Sequence, residues 1–226
     1  MRADRNPRLA HRVVPSPIGA LDLWAGPAGL RAVLWPGEDG SRVARSLGSV
    51  PADDPSDGLG TPGAQDPTAE NPAAEDPAVK DSAAEAHLDR AETQLAEYFR
   101  GTRREFDLDL DLAGTAFQRS AWEVLRTIPY GATLSYGQQA AALGDPAKAR
   151  AVGAANGRNP LSIVVPCHRV VAAGGALTGF AGGLGTKAWL LDHERQVLDD
   201  ERQVLDDERR VPTEAAAGEV RASSGR

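Results

Sequence analysis

A proline-punctuated acidic stretch limits how much of this 226-residue chain can join one folded core. Within residues 51–86, four of the prolines recur at intervals of five residues, separated mainly by alanines and acidic residues. Such a sequence buries too little apolar surface to offset the entropy that is lost on ordering. We therefore predict a disordered linker over residues 51–86, with folded segments on either side.

Cysteine usage and hydropathy exclude several classes of protein. The chain has one cysteine and four scattered histidines, so it has no internal disulfide, and we expect no metal site and no cofactor. Its first twenty residues carry five Asp or Arg side chains and no apolar core, unlike a secretory signal. No stretch is apolar for long enough to span a bilayer. We expect a cytoplasmic protein that does not bind membranes and keeps its thiol reduced.

Charge is unevenly distributed along the chain, whose net charge is −7. Residues 51–85 carry nine acidic side chains against one lysine. In contrast, residues 113–191 carry seven Lys and Arg side chains against two acidic ones. A basic segment of this kind permits nucleic acid as a partner.

Short-range patterns predict a sheet-containing domain around the linker. Residues 13–35 have β-branched and apolar residues on both sides of a Gly/Pro turn, which indicates a β-hairpin. Residues 88–99 place apolar side chains at helical spacing, and "FDLDLDL", residues 106–112, alternates like a half-buried strand with its aspartates in solvent. We assign residues 1–50 and 87–112 to this N-terminal domain.

Capping signals predict three helices at the start of a second domain, residues 113–198. Capping boxes of the Ser/Thr-x-x-Gln type begin at Thr115 and Ser135. Asp145, followed by a proline, begins a third helix that runs to about Asn156. The tight turn between the second and third helices is typical of a helix-turn-helix.

The end of this domain combines a short apolar run with a glycine-rich loop and a long helix. "LSIVV", residues 161–165, is β-branched and predicts a buried strand. After the loop, Thr186 is the expected cap of the last helix. The heptad "ERQVLDD" then occurs twice, which is too short for a coiled coil, so we interpret residues 199–226 as a helical extension with a frayed tail.

The single cysteine, Cys167, lies between a proline and a His-Arg pair. A lone cysteine is often only a small buried hydrophobe, but His168 and Arg169 favour the thiolate, which is the reactive form. An imidazole base needs an orienting group, and Glu194 lies on an apolar helical stripe where a carboxylate requires a partner. Its copy in the repeated heptad, Glu201, has the same flanks, so spacing leaves the choice between them open.

The third predicted helix, "DPAKARAVGAANG", is unusually slim. Small residues, among them Ala151 and Gly153, leave Lys148 and Arg150 as its only long charged side chains. Such a helix either packs closely against another helix or enters the minor groove of DNA, which is about 6 Å wide.

At "PCHRV", residues 166–170, the sequence resembles the methylated-DNA–protein-cysteine methyltransferases, also called alkylguanine-DNA alkyltransferases. The flanking segments "SYGQQAAALGDPAKARAVGAANGRNP" and "GFAGGLGTKAWLLDHE" extend the resemblance over about residues 88–194. It implies an α/β (α+β) fold with a ribonuclease-H-like N-terminal sheet region and a winged-helix-like alkyltransferase domain. The implied partner is double-stranded DNA containing alkylated guanine, bound by a monomer.

The resemblance also implies roles for individual residues. Cys167 matches the acceptor of the alkyl group, with His168 activating it through a water and Glu194 polarising His168. Asn159 matches the asparagine whose turn supports the nucleophile. Tyr136 matches the tyrosine that crowds the target phosphate and donates a proton to the departing guanine.

Further positions fall in the DNA-binding and pocket regions of the family. Arg150 matches the finger that fills the gap left by a flipped nucleotide. Phe180 stands where some relatives have tyrosine, so it offers the base no hydroxyl. The remaining assignments are Lys148, Ala151, Gly153 and Arg169 to DNA contact, and Gly182, Gly183 and Val170, with Phe180, to the substrate pocket.

The expected activity is irreversible, stoichiometric transfer of an alkyl group from the O6 atom of an extruded guanine to Cys167, with alkylated thymine as a second candidate substrate. Two other functions remain open from the residues themselves. One is a cysteine hydrolase that uses Cys167, His168 and Glu194, and the other is a DNA-binding module without catalysis.

Overall fold

The computed structural model describes residues 9–35, residue 38 and residues 77–210. Most of the predicted linker, residues 51–76, and the end of the predicted tail, residues 211–226, lie outside the described residues. The described chain is mixed α/β. No helix within it combines the length and the apolar character that crossing a membrane requires.

The N-terminal sheet is antiparallel, with strand order β1-β2-β3. The predicted hairpin is confirmed as β2 (Leu21–Gly26) and β3 (Gly29–Leu34), and β1 (Ala10–Val14) adds a third strand. Buried and partly exposed residues alternate along β2, as expected when one face of a sheet covers a core.

Helix α1 (Pro77–Phe99) covers this sheet and begins inside the segment that we expected to be disordered. The predicted linker boundary at residue 86 is therefore wrong. Ala84 is buried one turn before Leu88, so the apolar stripe extends further toward the N-terminus than the acidic composition suggested. Acidic side chains on both sides of Leu88 bind Arg12 of β1 at 2.7–2.8 Å, which explains how this charged turn is held on the sheet.

Residues 106–112 keep their alternation but do not form the predicted strand. Their apolar side chains are partly buried, yet only Leu110 makes a bridge, parallel to Leu30 of β3. The other end of the same β3 edge is occupied at Val33, which bridges Leu161. Because two segments share this edge, neither extends into a full strand.

Both predicted capping boxes are confirmed, at the starts of α2 (Ala116–Arg126) and α3 (Tyr136–Ala142). The Asp145 side chain also caps as predicted, although the first turn, Pro146–Lys148, is a 3-10 helix before α4 (Ala149–Gly157). Local side-chain-to-backbone hydrogen bonds fix these starts, which is why the sequence alone reveals them.

Buried polar contacts join α2, α3 and α4. The Trp122 indole donates to the carbonyl of Ala155 at 2.9 Å. The amides of Gln139 and Asn156 pair with each other at 2.7 and 3.1 Å, and Gln139 also donates to the Ala121 carbonyl. These contacts hold α4 against α2 and α3 by one face and leave its opposite face toward solvent.

Residues 161–165 form tight turns, so the predicted strand is wrong here. Val165 N donates to Leu161 O and Val164 N donates to Ser162 O, while Ile163 adopts a φ of 73°. The run is apolar because every residue in it is buried, and burial does not require extension. The chain then passes through a 3-10 turn, Cys167–Arg169, into β5 (Val170–Val171), which pairs in parallel with β4 (Leu134–Ser135).

The last helix, α5 (Gly183–Arg210), begins before the predicted cap, Thr186, which lies inside it. Gly183 has a φ of 85°, a conformation that lets the helix start abruptly after the loop. The helix continues through both heptads, so the predicted boundary at residue 199 is not a structural break. One hydrophobic core unites the sheet, α1, α2, the turns around Cys167 and the first half of α5.

Candidate active site

Cys167 lies beside a small cavity at the end of the buried turns. It opens the 3-10 turn and is 9% exposed. The cavity has a volume of about 140 Å³. Residues from four segments line it, including Cys167, Tyr136, Gly153, Asn156, Ser162 and Phe180. A thiol at the base of such a cavity can meet only a group that enters it.

His168 follows the cysteine and is completely buried. Its Nε2 lies 2.9 Å from Oε1 of Glu194. Burial lowers the pKa of His168, so the imidazole is neutral near neutral pH. With Nε2–H donated to a carboxylate, Nδ1 carries the lone pair, and no residue in the described part of the chain donates to it. Nδ1 is therefore the basic atom of this site.

Glu194 is the centre of the buried network that orients His168. Its carboxylate accepts hydrogen bonds from Tyr98 Oη at 2.9 Å and from Gly131 N at 2.8 Å, in addition to those from His168 and Arg169. Burial alone raises the pKa of Glu194, but the hydrogen bonds from His168 and Arg169, together with the positive charge of Arg169, outweigh it and lower the pKa to about 2. Glu194 is therefore an ionised and fully partnered carboxylate.

The structure decides between the two carboxylates that spacing could not separate. Glu194 reaches His168, whereas Glu201 lies one heptad further along α5, is exposed, and pairs with Arg104.

Arg169 must be reassigned, because it does not face a DNA-accessible surface. Its side chain is 5% exposed, its Nε and Nη2 bind Glu194 at 2.9–3.1 Å, and its Nη1 donates to the Ile128 carbonyl at 2.7 Å. A guanidinium committed in this way cannot also bind a phosphate. Arg169 instead supplies the positive charge that balances Glu194.

Asn159 is buried and closes the turn that precedes Cys167. Its Nδ2 donates to Val165 O at 2.7 Å, and its Oδ1 accepts from Leu161 N at 3.0 Å. Since the turn runs directly into Cys167, these two hydrogen bonds fix the backbone conformation just before Cys167.

Tyr136 lines the cavity from the first turn of α3, and its Oη donates to the Thr178 carbonyl at 3.2 Å. The same carbonyl accepts from Nζ of Lys187 at 2.8 Å, and Nζ also donates to Val170 O at 2.6 Å. Lys187 is completely buried, and burial lowers the pKa of its ammonium group. It joins the loop at Thr178 to the segment that follows Cys167, at Val170.

Sequence reasoning missed Lys187, although a signal was present. Lys187 lies three and four residues before Leu190 and Leu191, on the same helical stripe as Glu194. A lysine on an apolar stripe needs buried acceptors, just as a carboxylate needs donors. Ser162 and Asn156, which also line the cavity, were missed because their position depends on the turns of residues 161–165 and on the packing of α4.

Some of the residues predicted to line the pocket or to contact DNA lie elsewhere in the structure. Phe180 lines the cavity, with its ring centroid 6.4 Å from that of His168, and Gly153 lines it as well rather than facing outward. The Val170 side chain is buried in the core. Gly182 and Gly183 flank the cavity-lining part of the loop without lining the cavity themselves.

The outer face of α4 is slim and basic. Lys148, Arg150, Ala151, Ala154 and Arg158 are all exposed. Small side chains thus alternate with long cations on the free side of this helix, a surface that suits close approach to a polyanion.

Comparison with known proteins identifies similar chains. The sequence model of the family described as "6-O-methylguanine DNA methyltransferase, DNA binding domain" matches residues 116–196. The methylated-DNA–protein-cysteine methyltransferase of Mycolicibacterium paratuberculosis is 58% identical over 106 residues, which are 47% of this chain and 64% of the relative. The protein of the same name from Salmonella typhimurium is 58% identical over 102 residues, 45% of this chain and 60% of the relative. The aligned stretches thus cover less than two thirds of these curated relatives.

A solved structure is similar over a larger part of the chain. The crystal structure of Mycobacterium tuberculosis OGT in complex with DNA superimposes with a TM-score of 0.61 and 38% sequence identity. The superposition covers 83% of this chain and 93% of the OGT chain.

Proposed function

Since this chain belongs to the methylated-DNA–protein-cysteine methyltransferase family, we propose that it transfers an alkyl group from O6 of guanine in double-stranded DNA to Sγ of Cys167. The observation that carries the proposal is the geometry around the thiol. Cys167 is at the base of a cavity, and the neighbouring His168 is held by Glu194 with its basic Nδ1 left to act.

The proposed reaction is a displacement at carbon. The thiol proton passes to Nδ1 of His168 through a water, the S–C bond forms, and the C–O bond breaks with its electron pair going to guanine. Tyr136, which lines the cavity, supplies the proton that the departing base takes up, and the proton held by His168 then restores the Tyr136 hydroxyl through water. The product is a thioether on the protein, which water does not cleave, so each molecule acts once.

The burial of Cys167 requires the base to leave the duplex. A thiol that is 9% exposed at a small cavity cannot reach a carbon inside stacked DNA. Extrusion costs a few kcal/mol, and less for a poorly paired damaged base. We propose that α4 enters the minor groove and that Arg150, which is exposed on it, occupies the gap that the base leaves. Alkylated thymine is a second candidate substrate.

The finer architecture and setting are also part of the proposal. We interpret the three-stranded sheet with α1 as the ribonuclease-H-like part and α2 to α5 as the winged-helix-like alkyltransferase part. A single copy of the chain supplies every residue named in the site, which fits a monomer. A reduced thiol is required, and the cytoplasm maintains one.

The test compares the wild-type chain with Cys167→Ala. The wild type should convert O6-methylguanine in duplex DNA to guanine, in an amount that never exceeds one base per protein molecule. Cys167→Ala should bind the same duplex with unchanged affinity and convert none. Repair by the variant, or conversion of many bases per wild-type molecule as in a cysteine hydrolase, would refute the proposal.

A further inference from the structure

The indole of Trp35 connects the N-terminal sheet to the cavity. Trp35 directly follows β3, is 4% exposed, and donates through Nε1 to Oγ of Ser162 at 3.2 Å. Ser162 is one of the residues that line the cavity. A side chain that directly follows the sheet therefore donates a hydrogen bond to the turn that leads into Cys167.

The same indole also contacts the active-site loop, which we define as residues 178–182. The rings of Trp35 and Phe180 meet edge to face, with centroids 5.4 Å apart. The rings of Phe180 and His168 are also nearly perpendicular, with centroids 6.4 Å apart, and Phe180 lines the cavity. The Phe180 ring thus neighbours both the indole and the imidazole.

Gly182 shows how closely the loop backbone approaches Trp35. A Cβ atom on Gly182 would lie 2.7 Å from Cδ2 and 2.8 Å from Cε2 of the indole. Such distances are too short for a carbon–carbon contact, so a side chain at this position would displace either the ring or the loop. The ring is buried between Ser162 and Phe180, so it has little room to yield.

We propose that Trp35 determines the size of the alkyl group that the site accepts. This inference rests on the proposed alkyl transfer to Cys167. The indole is held in place by its hydrogen bond to Ser162, and the active-site loop packs against it. The loop therefore cannot retreat from the thiol, and Phe180 limits the space above it. Because the cavity is only about 140 Å³, a small displacement of Phe180 changes a large share of it.

Truncation of the Trp35 side chain tests this proposal directly. In Trp35→Ala, Phe180 and the loop gain room to move away from Cys167, so a bulky group should enter more easily while methyl is held less well. We would measure second-order rate constants for transfer from duplexes that carry O6-methylguanine or O6-benzylguanine. The benzyl-to-methyl ratio should rise by about tenfold or more, the range over which pocket size discriminates between substrates. Trp35→Phe, a milder change, should raise it less.

Trp24 provides a matched control within the same sheet. It is partly buried, whereas Trp35 is buried, and its ring stacks on His11 with centroids 4.2 Å apart. Trp24→Ala should lower stability without changing the benzyl-to-methyl ratio. An unchanged ratio in both Trp35 variants, or an equal rise in Trp24→Ala, would overturn the inference.

A second arm uses Gly182→Ala. Alone, this variant should slow methyl transfer by about tenfold or more, because small displacements near a reaction centre are costly. In the Trp35→Ala background, where the added methyl has space, it should have little further effect, a coupling typical of residues in contact. Equal slowing in both backgrounds would contradict the proposal that Trp35 limits the movement of the loop. If the wild type transfers no methyl to Cys167, the proposed function itself fails, whereas normal methyl transfer with an unchanged ratio refutes only the role of Trp35.

Discussion

Arg169 holds Glu194 through Nη2 at 2.9 Å and through Nε at 3.0 Å, in an ion pair that is closed to solvent. The carboxylate also accepts hydrogen bonds from His168, Tyr98 and the backbone N–H of Gly131. One buried charge pair therefore orients the imidazole beside the thiol and anchors α5 to the core.

Removal of the guanidinium should destabilise the fold. In Arg169→Met the ionised Glu194 stays buried without its counter-charge, which typically costs about 3–5 kcal/mol. Urea denaturation followed by circular dichroism measures the free energy of unfolding. Arg195→Met, which breaks an exposed pair with Asp192 on the same helix, is the control and should leave that free energy nearly unchanged. Equal losses in the two variants would show that the buried ion pair contributes no more to the free energy of unfolding than the exposed one does.

The duplicated heptad offers a matched pair of carboxylates. Glu194→Gln should slow methyl transfer about a hundredfold or more, because His168 loses the charge that supports it as a base. Glu201→Gln changes the equivalent residue of the second heptad, which pairs with Arg104 at the surface, and should leave the rate unchanged. Single-turnover rates with excess protein distinguish them. Similar slowing by both substitutions would remove Glu194 from the catalytic network.

Lys187→Met should slow transfer without altering the choice of alkyl group. The variant keeps the length of the side chain but leaves the carbonyl of Val170 without its lysine donor, and Thr178 with Tyr136 alone. We expect methyl and benzyl rates to fall together by about tenfold, in contrast to Trp35→Ala.

Lys148→Met is the control for Lys187→Met, because Lys148 is exposed in the 3-10 turn just before α4. It should weaken DNA binding and reduce the salt dependence by about one charge, while the rate at saturating DNA is maintained. A change of the benzyl-to-methyl ratio in Lys187→Met, or an unchanged rate, would contradict the proposed positioning role.

Stability should fall as the pH falls. The pKa of Glu194 is lowered from 4.5 to about 2, so the unfolded chain takes up this proton first and the stability from Glu194 is lost between those values. Burial lowers the pKa of His168 from 6.5, which adds a loss that begins near that pH and has the same sign. Urea denaturation from neutral pH down to about pH 3 measures this slope. Glu194→Gln should lack the acidic part of the decline, and a wild-type stability that rises as the pH falls would contradict both shifts.

Local signals in the sequence were sufficient for several elements. The capping boxes at Thr115 and Ser135 and the hairpin before Trp35 could be predicted because each depends on residues a few positions apart. The position of Cys167 beside His168 is visible in the sequence itself, and its reactivity stays a prediction. In residues 161–165 the same reasoning failed, because burial on all sides makes a turn as apolar as a strand.

Long-range contacts account for what the sequence did not reveal. The resemblance placed Arg169 among the DNA-contact residues, and nothing in the sequence showed that its partner is Glu194 on α5. Trp35 and Lys187 looked like ordinary members of a strand end and a helix. Their contacts with the active-site loop exist only once the sheet, the turns and α5 have packed together.

The most direct test of the account is the intact mass of the protein after it meets damaged DNA. The wild-type chain, mixed with excess duplex carrying O6-methylguanine, should become heavier by one methylene unit, as a methyl replaces the thiol hydrogen, and peptide mapping should place that gain on Cys167. Cys167→Ala should keep its original mass under the same conditions. An unchanged wild-type mass, or a methyl group on any other residue, would contradict transfer to Cys167.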